Sequence, residues 1–93
     1  MQKLTTTIKR EYFIAILSFK KKIEYRDIKE YWVNRLAKYK PPFLLRLING
    51  MSKQAPELTV QVIKVRRDNR KGWFELHFGK INESKNIKGI GNL

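Results

Sequence analysis

The sequence has no cysteine, one histidine and no long apolar run, and each shortage excludes a class of protein. Without cysteine there is no disulfide framework, no thiolate zinc site and no thiol nucleophile. A single histidine, His77, leaves too few ligands for an all-protein zinc site, so neither a metal nor a cofactor is expected. The longest apolar stretches, Tyr12 to Leu17 and Phe43 to Leu45, fall far short of the roughly 18 residues that span a bilayer. The N-terminus has no signal-peptide core either, so a soluble, cytoplasmic protein with no membrane partner is expected. Glycine-rich phosphate loops, a Ser-His-Asp set and paired acidic residues for magnesium are also missing. Chemistry, if there is any, must come from Lys, Glu, Tyr or His.

Acidic residues are scarce too. Eight Asp and Glu stand against 21 Lys and Arg, a formal net charge of +13 on 93 residues. So strong a positive field draws polyanions, which puts nucleic acid first among partners, ahead of an anionic membrane or an acidic protein. A chain of this length, 42% hydrophobic, supports one domain with a modest core.

Threonines at 5 to 7 favour an opening strand over Lys3 to Thr7, with Thr7 placed to cap a following helix. Tyr12, Phe13, Ile16 and Leu17 then form one helical stripe. Lys20-Lys21-Lys22 leads into an extended Ile23 to Arg26. Asp27 and Glu30 suggest a capping-box start to a second helix carrying Ile28, Tyr31, Trp32 and Leu36, which Pro41-Pro42 halts by Tyr39. Phe43 to Ile48 reads as a strand covered on both faces, ended by Asn49-Gly50. Glu57 to Arg67 alternates until its parity shifts near Val62-Ile63, which predicts a β-bulge and the bend of a small barrel. After a hairpin loop at Asp68 to Gly72, Phe74, Leu76 and Phe78 share one strand face. The expected core joins these three to Phe13, Ile16, Leu17, Leu45, Leu47, Val60 and Val62. The domain is expected over 1–81, with 82–93 a loosely ordered tail.

Three places could carry function. In an extended Ile23 to Arg26, Glu24 and Arg26 share a face, with Lys21 beside them. That set is either a cleft for a polar, partly anionic ligand such as a nucleotide, or a solvated surface pair. Arg46, a charge within an apolar strand, must reach a carboxylate, a cavity or solvent. Trp73, Glu75 and His77 form one row, which either stacks and hydrogen-bonds a base or is a plain outer face. A lysine among neighbouring cations can in principle act as a nucleophile or base, which makes Lys21 and Glu24 catalytic candidates if the protein is an enzyme.

An amphipathic helix running into Ser18-Phe19-Lys20-Lys21-Lys22-Ile23-Glu24-Tyr25-Arg26, then Tyr31-Trp32, Leu45 to Gly50 and Phe74 to Lys80, resembles the small ASCH domain of the PUA-like superfamily over about residues 3–81. The family's Gly-x-Lys-x-x-Glu/Thr-x-Arg pattern falls on Phe19, Lys21, Glu24 and Arg26. This resemblance implies an α+β fold, a small PUA-like β-barrel flanked by two or three helices, with a cleft at the motif and an association with RNA or modified nucleosides. Some members of the family cleave RNA, and others hydrolyse acylated cytidine through a lysine, a threonine and a glutamate. Here Lys21 matches the lysine, the threonine position holds Glu24, and Glu75 could stand for the distant glutamate. Phe19 replaces the motif glycine, so either the turn differs or Phe19 forms a wall or lid of the cleft. The expected function is RNA binding through the basic surface and that cleft. A ribonuclease or modified-nucleoside amidohydrolase at the same cleft, and a protein or nucleoprotein interaction module, stand as alternatives.

Overall fold

The computed structural model describes residues 1–88 and 90. Five strands and two helices follow the order β1 (Lys3–Thr7), α1 (Arg10–Leu17), β2 (Ile23–Asp27), α2 (Glu30–Leu36), β3 (Phe43–Ile48), β4 (Glu57–Asp68) and β5 (Trp73–Lys85). They build a small α+β domain whose single sheet, ordered β1-β3-β4-β5-β2, curls into a half-barrel. β1 runs parallel to β3, and every other pairing is antiparallel. The α1-β2-α2 segment therefore leaves one edge of the sheet, places β2 on the other, and returns.

Alternation builds the core. Phe43, Leu45 and Leu47 on β3 are wholly buried, while Leu44, Arg46 and Ile48 between them are half-buried, so β3 is fully covered on one face only. Leu58, Val60, Val62, Phe74 and Leu76 join them, and Phe13 and Ile16 of α1 with Trp32 and Leu36 of α2 close the open side. Leu17 and Phe78 pack against this cluster half-buried, so all ten expected core residues belong to it or line it. Tyr12, read as part of the helical stripe, is instead exposed.

The bend lies at the predicted parity shift. Val62 faces Phe78 but Lys64 faces His77, which leaves Ile63 unpaired as the extra residue of a bulge. Gly79 sits against it, and a Cβ there would lie 2.9 Å from Ile63 Cγ2. Two further register shifts, Thr59/Val60 and Val60/Val62, add to the curl. It brings the two sheet edges so close that Arg26 Nη2 of β2 donates to the Thr7 carbonyl of β1 at 2.9 Å. Arg35 Nη2 donates to the Thr5 carbonyl at 3.0 Å, so side chains cover part of the β1 edge that another strand would otherwise pair.

Several local expectations change. Lys9 and Lys29 occupy the helix N-caps, and no side chain caps either helix, because Thr7 remains in β1 and Asp27 in β2. β5 runs past residue 81, where the domain boundary is expected. β5 continues to Lys85 because Glu57, Leu58 and Thr59 pair with Lys85, Ser84 and Glu83. Beyond it, Ile87 packs on the core and Ile90 is buried within it. Of the expected tail, Gly89 and residues 91–93 lie outside the described residues.

The turn after α1 does not avoid the left-handed conformation that the motif glycine would supply. Phe19 adopts it, with φ +64°, while Phe19 N donates to Ile16 O, and Lys20 N and Lys21 N both donate to Ala15 O. This is a left-handed helix C-cap, ordinarily a glycine position, and a side chain with a Cβ costs about 1–2 kcal/mol there. Phe19 is 70% exposed and is absent from the cleft wall, so it is neither wall nor lid.

Candidate functional site

The α1–β2 turn delivers Lys21 to the start of β2, and the two-residue period of the strand puts Glu24 and Arg26 on one face. That face looks inward, since Glu24 lies opposite Leu76 of the core, and Glu24 is one of only two buried polar residues described, at 5% exposure. Burying a lone carboxylate is too costly, so its partners decide whether the site is tenable. Arg26 donates to Glu24 Oε2 from Nη2 at 2.6 Å and from Nε at 3.1 Å, and Lys21 Nζ stands 3.5 Å from Oε1. Each oxygen faces its own cation. The third Arg26 contact, to Thr7, fixes the guanidinium against the opposite sheet edge.

Aromatic rings surround this ion triad. Lys21 Nζ lies 5.0 Å from the ring centre of Tyr25 and 5.3 Å from that of Tyr12, and the Arg26 guanidinium lies 5.0 Å from the Trp32 ring. These are cation–π distances. The triad and the three rings border a cleft of about 700 Å³, with Thr7, Ile8 and Asp27 in its wall and the exposed lysines Lys9 and Lys29 around it. A space of that size falls within the range of small-molecule sites. Half-buried donors and a buried acceptor can read the polar edge of a planar group, the exposed rings of Tyr12 and Tyr25 can stack its faces, and Lys9 and Lys29 can meet a phosphate.

The structure thus brings Lys21, Glu24 and Arg26 together and places the other four candidates elsewhere. Arg46, on the outer face of β3, makes a fork to Glu57 with both contacts at 2.7 Å. Those hydrogen bonds raise the Arg46 pKa and hold Glu57 below the ordinary carboxylate value. Trp73, Glu75 and His77 do form one row on β5, again on the outer face, because the alternate residues Phe74 and Leu76 are buried. Glu75 is the hub of that row: His77 Nε2 is 3.1 Å from Oε1, while Trp73 Nε1 at 3.2 Å and Arg66 Nη1 at 3.0 Å donate to Oε2. The His77 hydrogen bond, then those from Trp73 and Arg66, lower the Glu75 pKa. With both oxygens engaged on an outer face, Glu75 does not reach the cleft.

Sequence reasoning missed Tyr12, Tyr25 and Trp32 as cleft residues, because it assigned Tyr12 and Trp32 to helical core stripes. Their chemistry was a signal: phenols and an indole at the edge of an apolar stripe pack one side while leaving another for a partner. Among the described residues, no group of three His, Asp or Glu side chains is placed to hold a metal ion. No helix described is long and apolar enough to cross a membrane. No protein-family model matches the chain and no curated protein matches it, so the chemistry of the cleft is read from its own side chains.

Proposed function

We propose that this chain is a nucleic-acid-binding domain, selective for single-stranded RNA, whose cleft receives one unstacked base with its ribose. The observation that carries the reading is the buried Glu24 carboxylate held between Lys21 and Arg26 and flanked by Tyr12, Tyr25 and Trp32. Glu24 accepts from an amino or imino group of the base, Arg26 and Lys21 donate to its carbonyls or the ribose, and the rings stack its face. Single-stranded bases are available for such contacts, whereas those of an RNA duplex lie in grooves that side chains read poorly. The net charge of +13 then supplies phosphate affinity that carries little sequence preference. On this reading the half-barrel is a PUA-like fold of ASCH type.

Fluorescence anisotropy of a labelled oligoribonucleotide at increasing salt tests it. Affinity should fall with a log–log slope of about −0.7 for each phosphate neutralised. Absent binding, or binding indifferent to salt, would remove the reading. One observation favours hydrolysis as a second reading: Thr7 lies in the same cleft wall as Lys21 and Glu24, so a hydroxyl-bearing residue is present although the motif position lacks one. A purified sample that cleaves RNA or deacylates acylated cytidine, and loses that activity in Lys21→Ala, would make the cleft catalytic. Intact substrates would leave it a binding site.

A further inference from the structure

Phe19 is disfavoured twice over in the folded protein. Its backbone is left-handed, where glycine is favoured, and its ring is 70% exposed, so little apolar burial offsets the strain. Strain of this kind is held by the surrounding structure, here the Ala15 and Ile16 carbonyls, and clusters at sites with a function. The surroundings point to what that is. Lys20, Lys21 and Lys22 follow immediately, and with Ile23 and Tyr25 they line a shallow hollow of about 350 Å³. Lys21 and Tyr25 also line the main cleft, so the two depressions share a wall. Lys20 and Lys22 are exposed.

We infer that the Phe19–Lys22 turn is a second nucleotide subsite, in which Lys20 and Lys22 hold the phosphate beside the nucleotide in the main cleft and the Phe19 ring stacks the neighbouring base. This rests on the RNA-binding reading of the cleft and adds its minimum ligand, a dinucleotide step rather than a nucleoside. The arrangement follows the general form of single-strand binding, a cationic track with an aromatic platform for each successive base. Nucleic acid accounts for the turn better than a lipid surface does, because the lysine hollow shares Lys21 and Tyr25 with a cleft of about 700 Å³, the size of a small-molecule site.

The test compares Phe19→Gly and Phe19→Leu with the parent, using hexauridylate, uridine 5′-monophosphate and vesicles of mixed phosphatidylcholine and phosphatidylserine. Both variants should lose about tenfold or more in hexauridylate affinity, the scale of one base–aromatic stack. They should bind the mononucleotide as the parent does. Phe19→Gly should melt at or above the parental temperature, since glycine relieves the strain. Arg26→Ala, with Arg26→Lys as a second variant that keeps Glu24 paired, separates this claim from the one beneath it. If the Phe19 variants keep parental hexauridylate affinity while the Arg26 variants lose it, the second subsite is wrong and the cleft stands. If neither set loses affinity, both fall. A Phe19→Gly protein that melts well below the parent, or that loses vesicle binding and not RNA binding, would also overturn the proposal.

Discussion

The two sides of the curled sheet carry the same kinds of charged residue at the same strand spacing, to different effect. Inside, Glu24 and Arg26 sit two apart on β2 beside a cleft, Glu24 buried and Arg26 half-buried. Outside, Trp73, Glu75 and His77 sit two apart on β5, and Arg46 reaches Glu57 across β3 and β4. On the outer face the side chains satisfy one another. On the inner face Glu24, Arg26 and Lys21 also satisfy one another, but that triad borders a cleft and its carboxylate is out of water. A buried ion pair is weak evidence for stability, because desolvation offsets most of the attraction. On the reading proposed above, a carboxylate enclosed at 5% exposure is accounted for by what the cleft receives rather than by what the pair adds to the fold.

Truncation at the shared core sets the scale for that comparison. Leu47→Ala and Phe74→Ala should each lower stability by about 2–5 kcal/mol in urea denaturation, the cost of buried cavities of this size. Both positions lie on the inward face of the sheet, in the core beneath both regions. Parental midpoints for both would show that the sheet is turned the wrong way. Arg26→Ala should come next. Its side chain is 18% exposed and that of Glu24 is 7%, between a fully buried pair and a surface one, so a loss of roughly 2 kcal/mol is expected. Arg46→Ala, against a more open fork, should cost less in the same assay. If it costs more, the inner pair is no more buried in its energetics than the outer one.

The smallest effect expected is read on the outer face by pH. Glu57 and Glu75, both on the outer side, have pKa values held below the ordinary 4.5, first by the hydrogen bonds from Arg46 and His77 respectively. A depressed folded-state pKa contributes stability that is present above about pH 4.5 and is lost as pH falls through the folded value. Melting temperature should therefore drop below pH 4.5, and the double variant Glu57→Gln, Glu75→Gln should show a shallower drop. An unchanged acid limb would mean that the outer network contributes nothing measurable.

Much of the fold was legible because strand alternation is a local signal. β1 matched its expected span, and the parity change after Val62 gave the bulge and with it the curl. Helix caps were misread because a threonine or aspartate near a helix start can equally end a strand, and Thr7 and Asp27 do. The candidate site was half legible. Spacing put Glu24 with Arg26, but it gave Trp73, Glu75 and His77 an equal claim, because periodicity assigns residues to faces without saying which face is concave. Sheet order decides that, and it depends on β2 crossing to the far edge beside β5. Phe19 was legible as a departure from glycine. That the backbone would keep the left-handed turn regardless depended on the carbonyls of Ala15 and Ile16, which hold the turn after it.

The most direct test of the cleft is a matched pair. Arg26→Ala and Arg46→Ala each remove one positive charge from the sheet, so long-range attraction for RNA falls equally in both. Measured at one salt concentration on variants shown by circular dichroism to be folded, hexauridylate affinity should fall about tenfold or more in Arg26→Ala, the loss of a charge-assisted fork at a base. In Arg46→Ala it should fall about twofold or less, the effect of a remote charge. Equal losses would contradict the account: RNA would then be responding to net charge alone, and the Lys21, Glu24 and Arg26 triad would be a structural ion cluster like the one on the other side of the sheet.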